Sequence, residues 1–394
     1  MFQKFNLAIF ILIALFQSSC FASTTRTIID SRGVEVKIPV NIQRVATISD
    51  GLVEGIMTVF GVQDKLVAVG SSCIQRNFQY TFPSVDGTEH TYDDGMNPVF
   101  YLNPWINNLP CISQSSSPIN YEVLVKTNPD VVLARIGSCT LRHIDDENAQ
   151  KSIEMLESIG IPVIVLYGTT CHEKPSVSGI SNEISIIGNV FNNPKKTKEL
   201  SDYLEAQIQF IKDRTNGIKE SDKENTIIFG LSPRARKNGG AGQIFGLDTI
   251  ESFFIETIAN AKNAYRESGY FRTINTEQIL KIDPDVIVLC TAYGYHPPKE
   301  LYNAPYYQNL QDLKAVRNKR IAALPWSPCN CSKRLEYPID AMVIATASYP
   351  DIFKDITLAD WLLDFYKNVY GVDNETAKKL RSVQWMDWTL EEIK

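Results

Sequence analysis

The sequence predicts an α/β protein of two α/β lobes joined by one long connecting helix, with a ligand cleft between the lobes. Three observations carry that expectation. Short apolar runs alternate with helical stretches along the chain, the pattern of sheets covered by helices. A segment at 120–133 recurs at 275–288 with the same spacing. Between the two copies, an amphipathic stretch from Asn193 to Asn216 runs on without a glycine until its end.

The first residues set the compartment. Lys4 stands beside the amino terminus, Leu7–Phe16 is an unbroken apolar run, and small residues follow as far as Ala22. A positive start, a short apolar centre and small residues at the exit make a secretory signal peptide. A membrane span needs about 20 apolar residues, and this run has ten. Residues 1–22 are therefore expected to be cleaved after Ala22. The rival is a lipoprotein anchored at Cys20, against which Gln17 stands where an aliphatic residue is expected. Either way the chain is expected to be exported to the periplasm or cell envelope.

Residues 23–190 are expected to form the first lobe. Arg26–Asp30 and Val34–Ile38 flank Ser31-Arg32-Gly33 as a hairpin. Val45–Ile48 reads as a strand, Asp50-Gly51 opens a helix through Phe60, and Gly61 suits its C-cap. Leu66–Val69 is the next strand. The long stretch Arg76–Pro110 is rich in aromatics, glycine, asparagine and proline. It exceeds the roughly 15 residues that a structureless loop normally reaches, so it is expected either to fold over the cleft mouth or to pack as a surface embellishment.

The repeat aligns Asn120-Tyr-Glu-Val-Leu-Val-Lys-Thr-Asn-Pro-Asp-Val-Val-Leu133 with Asn275-Thr-Glu-Gln-Ile-Leu-Lys-Ile-Asp-Pro-Asp-Val-Ile-Val288. Each copy reads as a capping asparagine, a short amphipathic helix, a Pro-Asp turn and a buried strand. Two lobes built on one plan explain it. The connecting helix is expected over 191–218, capped by Asn193 with Pro194 at the first helical position. Leu200, Tyr203, Leu204, Ile208 and Ile211 keep helical spacing. At 1.5 Å per residue the helix would reach about 30–35 Å. Residues 219–394 make the second lobe, with strands at Ile227–Gly230, Asp285–Leu289 and Ile321–Leu324. An amphipathic C-terminal helix, Leu358–Tyr370, is expected to pack on that lobe.

Composition excludes several functions. The net charge of −6 comes without a basic stripe, which argues against nucleic acid as a partner. No second long apolar segment marks an integral membrane protein. There is no Gly-x-Ser-x-Gly elbow, Walker loop or His-Glu-x-x-His, so no enzyme is expected. Eight cysteines stand at 20, 73, 111, 139, 171, 290, 329 and 331, and seven remain after cleavage. In an oxidising compartment disulfides are the first expectation. The alternative is direct metal ligation by thiolates, with Cys329 and Cys331 foremost.

The order of Thr27-Ile-Ile-Asp-Ser-Arg-Gly-Val-Glu-Val-Lys-Ile-Pro39, Gln43-Arg-Val and both Asn-x-Glu…Pro-Asp-Val segments resembles the Fe/B12 periplasmic-binding family, also called class III solute-binding proteins. Arg334-Leu-Glu-Tyr-Pro338, Tyr349-Pro-Asp-Ile-Phe353 and Phe365-Tyr…Val369-Tyr-Gly371 extend the resemblance over nearly the whole mature chain. It implies two α/β lobes, one long helix and a ligand held between the lobes. It also implies an ABC importer that takes up an iron–siderophore, haem, corrinoid or similar metal chelate, with no intrinsic cofactor. Glu122 and Glu277 match the glutamates that dock such proteins onto the permease, which a separate ATPase drives. A monomer is expected. The rival functions are a periplasmic metal chaperone or sensor using cysteine ligands, and a thiol-disulfide enzyme. No Cys-x-x-Cys stands at a helix start to support the enzyme.

Ligands of open α/β sheets sit beyond the carboxyl ends of the strands. The loops there offer Arg76, Arg135, Arg234, Arg236 and Arg334, whose guanidinium forks suit an anionic chelate. Tyr167, Tyr293, Tyr295 and Trp326 could stack on a planar ligand or donate hydrogen bonds.

Overall fold

The computed structural model of the protein describes residues 24–113, 117–172, 174–237, 240–291, 294–326 and 333–391. Segment 1–22, expected as a signal peptide, lies outside the described residues together with Cys20. Strands β1 (Thr25–Ile29) and β2 (Glu35–Pro39) pair antiparallel. Asp30 closes their turn by accepting from the Arg32 amide at 2.9 Å, and it reaches on to the Val165 amide at 3.1 Å. One carboxylate thus shapes the turn and moors the hairpin on the neighbouring sheet.

β3 (Val45–Ile48) leads into α1 (Leu52–Phe60), and β4 (Leu66–Val69) comes next. Gly61 ends α1 at φ 74° and returns its amide to the helix carbonyls. The long stretch beyond β4 is not a bare loop. It folds into a hairpin, β5 (Phe78–Pro83) and β6 (Glu89–Gly95), then a short helix α2 (Pro98–Leu102). Its aromatic residues alternate with polar ones along β5, which is strand periodicity. The first lobe continues with α3 (Tyr121–Lys126), β7 (Val131–Ile136), α4 (Glu147–Ser158), β8 (Val163–Tyr167) and α5 (Ser178–Phe191). Its sheet, β4-β3-β7-β8, is parallel throughout. Strands buried on both faces read as continuous apolar runs.

Helix α6 (Pro194–Thr215) has 22 residues, and Asn193 caps it by accepting from the Lys196 amide. Its buried stripe is Leu200, Leu204, Ile208 and Ile211. The second lobe then runs through β9 (Asn225–Gly230), α7 (Pro233–Lys237), β10 (Gly242–Ile244), α8 (Ile250–Phe253), β11 (Lys262–Asn263) and β12 (Arg272–Ile274). It continues with α9 (Thr276–Ile282), β13 (Val286–Leu289), α10 (Pro298–Asn303), α11 (Lys314–Arg317) and β14 (Ile321–Ala323). The sheet order is β12-β10-β9-β13-β14, with β11 also on β9. β9, β13 and β14 are parallel, whereas β10 and β12 form an antiparallel edge.

The repeat has a mechanical meaning. Asn120 caps α3 by accepting from Val123 at 3.0 Å, and Asn275 caps α9 by accepting from Gln278 at 2.8 Å. Each helix leaves through a left-handed residue, Asn128 at φ 43° and Asp283 at φ 41°. Proline comes next in both copies. Asp130 then accepts from the amides of Gln43 and Arg44 at 2.7 and 2.9 Å, just ahead of β3. Asp285 accepts from the Asn225 amide at 3.0 Å, at the start of β9. These clips set the register of β7 on β3 and of β13 on β9. Folding accounts for the repeated Asn, Pro and Asp; the repeated Glu stands in the first turn of each helix, where the dipole favours an anion, and Glu122 also accepts from Lys126 at 2.6 Å.

Three helices, α12 (Tyr337–Ser348), α13 (Leu358–Tyr370) and α14 (Asn374–Val383), close the chain. The largest apolar cluster joins Leu52 and Ile56 of α1 to Leu204 and Ile208 of α6, Ile339 and Met342 of α12 and Phe365 of α13. α13 packs on α1 and α6 as well as on α12. It is a wedge between the lobes rather than a cover for the second lobe alone.

Candidate functional site

The carboxyl ends of β3 and β7 meet the chain beyond β14. Asp50, shortly after β3, is fully buried, and its Oδ2 accepts from the Cys139 amide at 2.7 Å. From the second lobe, Arg334 donates its Nε proton to the main-chain oxygen of Asp50. In the opposite direction Arg135, near the end of β7, donates from Nη1 to the main-chain oxygen of Lys333 at 2.9 Å. Two arginines, one from each lobe, thus cross the junction. Lys333 in turn lies 2.8 Å from Asp340 and 3.8 Å from Glu251.

Gly51 permits this approach. It has φ 113°, and a Cβ there would stand 2.6 Å from Asn97 Nδ2 and 3.3 Å from Arg334. A side chain would meet both strain and collision.

Burial governs the charges at the junction. It pushes the Asp50 carboxyl up from its ordinary value, with Arg334 pulling the other way. It also raises Glu183, against the pull of Arg135. Glu54 is raised by burial too. Neither of its carboxylate oxygens has a hydrogen-bond partner of good geometry, nor do Thr47 Oγ1, Asp50 Oδ1 and Asn97 Nδ2, although Thr47 and Ser49 lie close enough to Glu54, and Ser71 to Asp50, to offset part of the rise. Burial lowers Arg334. For Lys333, burial lowers the ammonium, but Asp340 and Glu251 outweigh it and leave the group raised.

An aromatic cluster stands at the other part of the junction. Tyr295, Trp326 and Trp385 pack with Phe78, Tyr80 and Tyr92 of the β5–β6 hairpin. Trp326 and Trp385 stack with centroids 4.9 Å apart, and the Tyr295 hydroxyl donates to the Trp385 main-chain oxygen. Tyr80 donates to the Glu300 carboxylate at 2.8 Å. Glu300 also accepts from the Tyr306 hydroxyl at 2.8 Å and lies 2.9 Å from His296 Nδ1. Phe82 is buried in the second-lobe core with Phe229, Leu301 and Tyr307. The Val85 amide donates to the Asn303 carbonyl at 2.8 Å, and Trp385 Nε1 donates to the Asp93 carbonyl at 2.7 Å. The hairpin leaves the first lobe and is seated on the second, so it straps the two together.

Of the arginines and aromatics the sequence singles out, the structure brings Arg135 and Arg334 together at one part of the junction, and Tyr295 and Trp326 at the other. Arg76 is exposed and comes after the short turn of helix at Ser72–Gln75. Tyr167 ends β8, where its amide donates to Ser31 Oγ at 3.1 Å beside the first hairpin. Arg236 lies 3.9 Å over the Tyr306 ring and donates to the Tyr307 hydroxyl. Arg234 belongs to α7, and its side chain is outside the described ones. Tyr293, Cys329 and Cys331 lie outside the described residues. Glu122 and Glu277 are both exposed, on α3 and α9.

Asp50, Glu54, Glu183, Glu300 and Trp385 carry much of this architecture and are missed by searching the post-strand loops for arginines and aromatics alone. Two signals point to them. Asp50 sits shortly after a strand, where the same rule applies, and Glu183 stands between Ile180 and Ile184 on an apolar helix face. Cys73 and Cys139 are disulfide-bonded. Cys111, Cys171 and Cys290 are free. Burial pushes the Cys171 thiol up to about 11, and Cys290 higher still, which disfavours the thiolate that a soft metal needs. Among the described residues, no group of three or more His, Cys, Asp and Glu is placed to hold a metal ion. No helix among them is long and apolar enough to cross a membrane.

The model of the periplasmic binding protein family matches residues 49–328. An uncharacterized ABC transporter substrate-binding lipoprotein of Bacillus subtilis, YvrC, is 23% identical over 240 residues, 60% of this chain and 67% of that protein. The high-affinity heme uptake system protein IsdE of Staphylococcus aureus is 24% identical over 185 residues, 46% of this chain and 58% of that protein. The solved structure of the Haemophilus influenzae molybdate periplasmic binding protein MolA, bound to molybdate, has a TM-score of 0.64 and 18% identity. It covers 88% of this chain and 98% of that one.

Proposed function

The chain belongs to the periplasmic binding protein family and is a substrate-binding protein of an ABC transporter, and from that premise we propose that it captures a metal chelate between its lobes. The class is that of iron–siderophore, haem and corrinoid complexes. The observation that carries this reading is the pair of arginines, Arg135 and Arg334, crossing between the lobes at the carboxyl ends of parallel strands. The Arg135 fork is held by Glu183, so an anion bridging the lobes would have to compete with that carboxylate to meet both guanidinium groups. The aromatics Tyr295 and Trp326 are buried against Trp385 and the β5–β6 hairpin, so a planar or ring-bearing ligand would stack on them where that packing opens. The heme named for IsdE is a metal chelate of this class, whereas the molybdate named for MolA is a plain oxyanion and supports only the broader reading of a metal-containing ligand.

Delivery then falls to the surface. Glu122 and Glu277 occupy matching places in the two repeats and stand exposed, and they serve as the docking pair for basic residues of a membrane permease. Secretion by the segment 1–22 would put the chain on the outer side of that membrane. Transport energy would come from a separate ATPase.

Native mass spectrometry with metal analysis, on protein purified from its source, tests the ligand. An iron- or cobalt-containing organic mass at unit stoichiometry is expected. A bare metal or a plain oxyanion in its place would overturn the chelate assignment.

A further inference from the structure

The docking helices carry more than their glutamates. Large apolar side chains are exposed at ten positions among the described residues, and Val125 and Leu280 are two of them, 51% and 37% exposed. They occupy the same place in the two copies of the repeat, three residues after Glu122 and Glu277 respectively. Residues three apart on a helix are surface neighbours, with Cβ atoms about 5–6 Å apart. Each lobe therefore presents a carboxylate and an apolar group side by side.

Folding does not ask for this arrangement. Each helix is held down by the adjacent residue, Leu124 or Ile279, both fully buried. Its ends are fixed by the asparagine cap and by the left-handed exit at Asn128 or Asp283. A β-branched valine on the open face of a six-residue helix lowers helix propensity. A lone exposed apolar residue is ordinary. The same residue class at the same place beside the same carboxylate, in both lobes, is a pattern.

We propose that Val125 and Leu280 are the apolar anchors of the permease-docking surface, each entering a socket beside the cation that takes the neighbouring glutamate. The partner is the integral-membrane subunit of the importer. Its surface must pair a basic side chain with an apolar hollow, twice. The glutamates steer and orient, and the apolar pair supplies the short-range contact that slows release. This inference rests on the reading of Glu122 and Glu277 as docking residues.

Photo-crosslinking in the source cells tests it. A benzoylphenylalanine is placed singly at 125, 280, 121 and 276 of the full chain, and at 155 as an exposed control. Crosslinked peptides are then identified by mass spectrometry. Positions 125 and 280 are expected to capture an importer's membrane subunit at least tenfold above position 155. In a second arm, Val125→Ser with Leu280→Ser is expected to cut capture from 121 and 276 at least tenfold, with an unchanged melting temperature. Capture from 121 and 276 alone, undiminished by the two serines, overturns the apolar anchors and leaves the docking helices standing. Silence at all four positions overturns the docking reading together with the anchors.

Discussion

Arg135 and Glu183 face each other through two hydrogen bonds, 2.6 and 2.8 Å long, with both side chains wholly withdrawn from water. A buried pair of this kind is costly to break and less costly to replace. Removing one partner strands a charge, at about 3–5 kcal/mol. Arg135→Met is expected to lose that much in urea denaturation. Arg135→Met with Glu183→Leu should recover most of it, because no charge is left unpaired. A double variant as unstable as the single one would place the cost in the lost Lys333 contact instead.

The hydroxyl of Tyr80 can be removed without removing its ring. Tyr80→Phe keeps the aromatic packing and takes one donor away from the buried Glu300 carboxylate. A hydrogen bond to a charged group contributes about 1.5–3 kcal/mol. The denaturation midpoint should fall accordingly, and amides of 78–95 should exchange faster in hydrogen-exchange mass spectrometry. Unchanged exchange would mean that Phe82 alone seats the hairpin.

Glu54 predicts an unusual pH dependence. Its carboxyl is raised by burial, so the folded chain keeps a proton that the unfolded chain releases above about pH 4.3. The stability it supports is complete below that pH and is lost as pH rises through the raised folded value. Glu54→Gln is neutral at every pH and removes that slope. The melting temperature of the variant should exceed the parent's by more at pH 8 than at pH 5. An equal gap at both values would mean that the group is ionised in the fold.

Glu122→Ala with Glu277→Ala should leave ligand affinity unchanged and abolish uptake in cells lacking the native protein. Both side chains are exposed. Loss of ligand binding by the purified double variant would sink the docking assignment.

Periodicity decides how much of the fold is legible in the sequence. The strands β3, β4, β9, β13 and β14 announce themselves as apolar runs, and α6 as an unbroken helical stripe, because those patterns are local. β10 and β12 have three residues each, too few to display alternation. Their pairing depends on the neighbour β9 rather than on their own composition. The site is legible only in part for the same reason. Arg135 and Arg334 are found by inspecting the carboxyl ends of strands and the loops beyond them. Glu183, Glu300 and Trp385 sit within or after helices and matter only because of the groups packed against them.

A strapped pair of lobes ties their relative movement to one hairpin. Tyr80, Phe82 and Val85 hold that hairpin to the second lobe, so any hinge that parts the lobes must either break those contacts or bend the chain where the hairpin leaves the first lobe. Movement between the lobes is therefore not governed by the connecting helix alone.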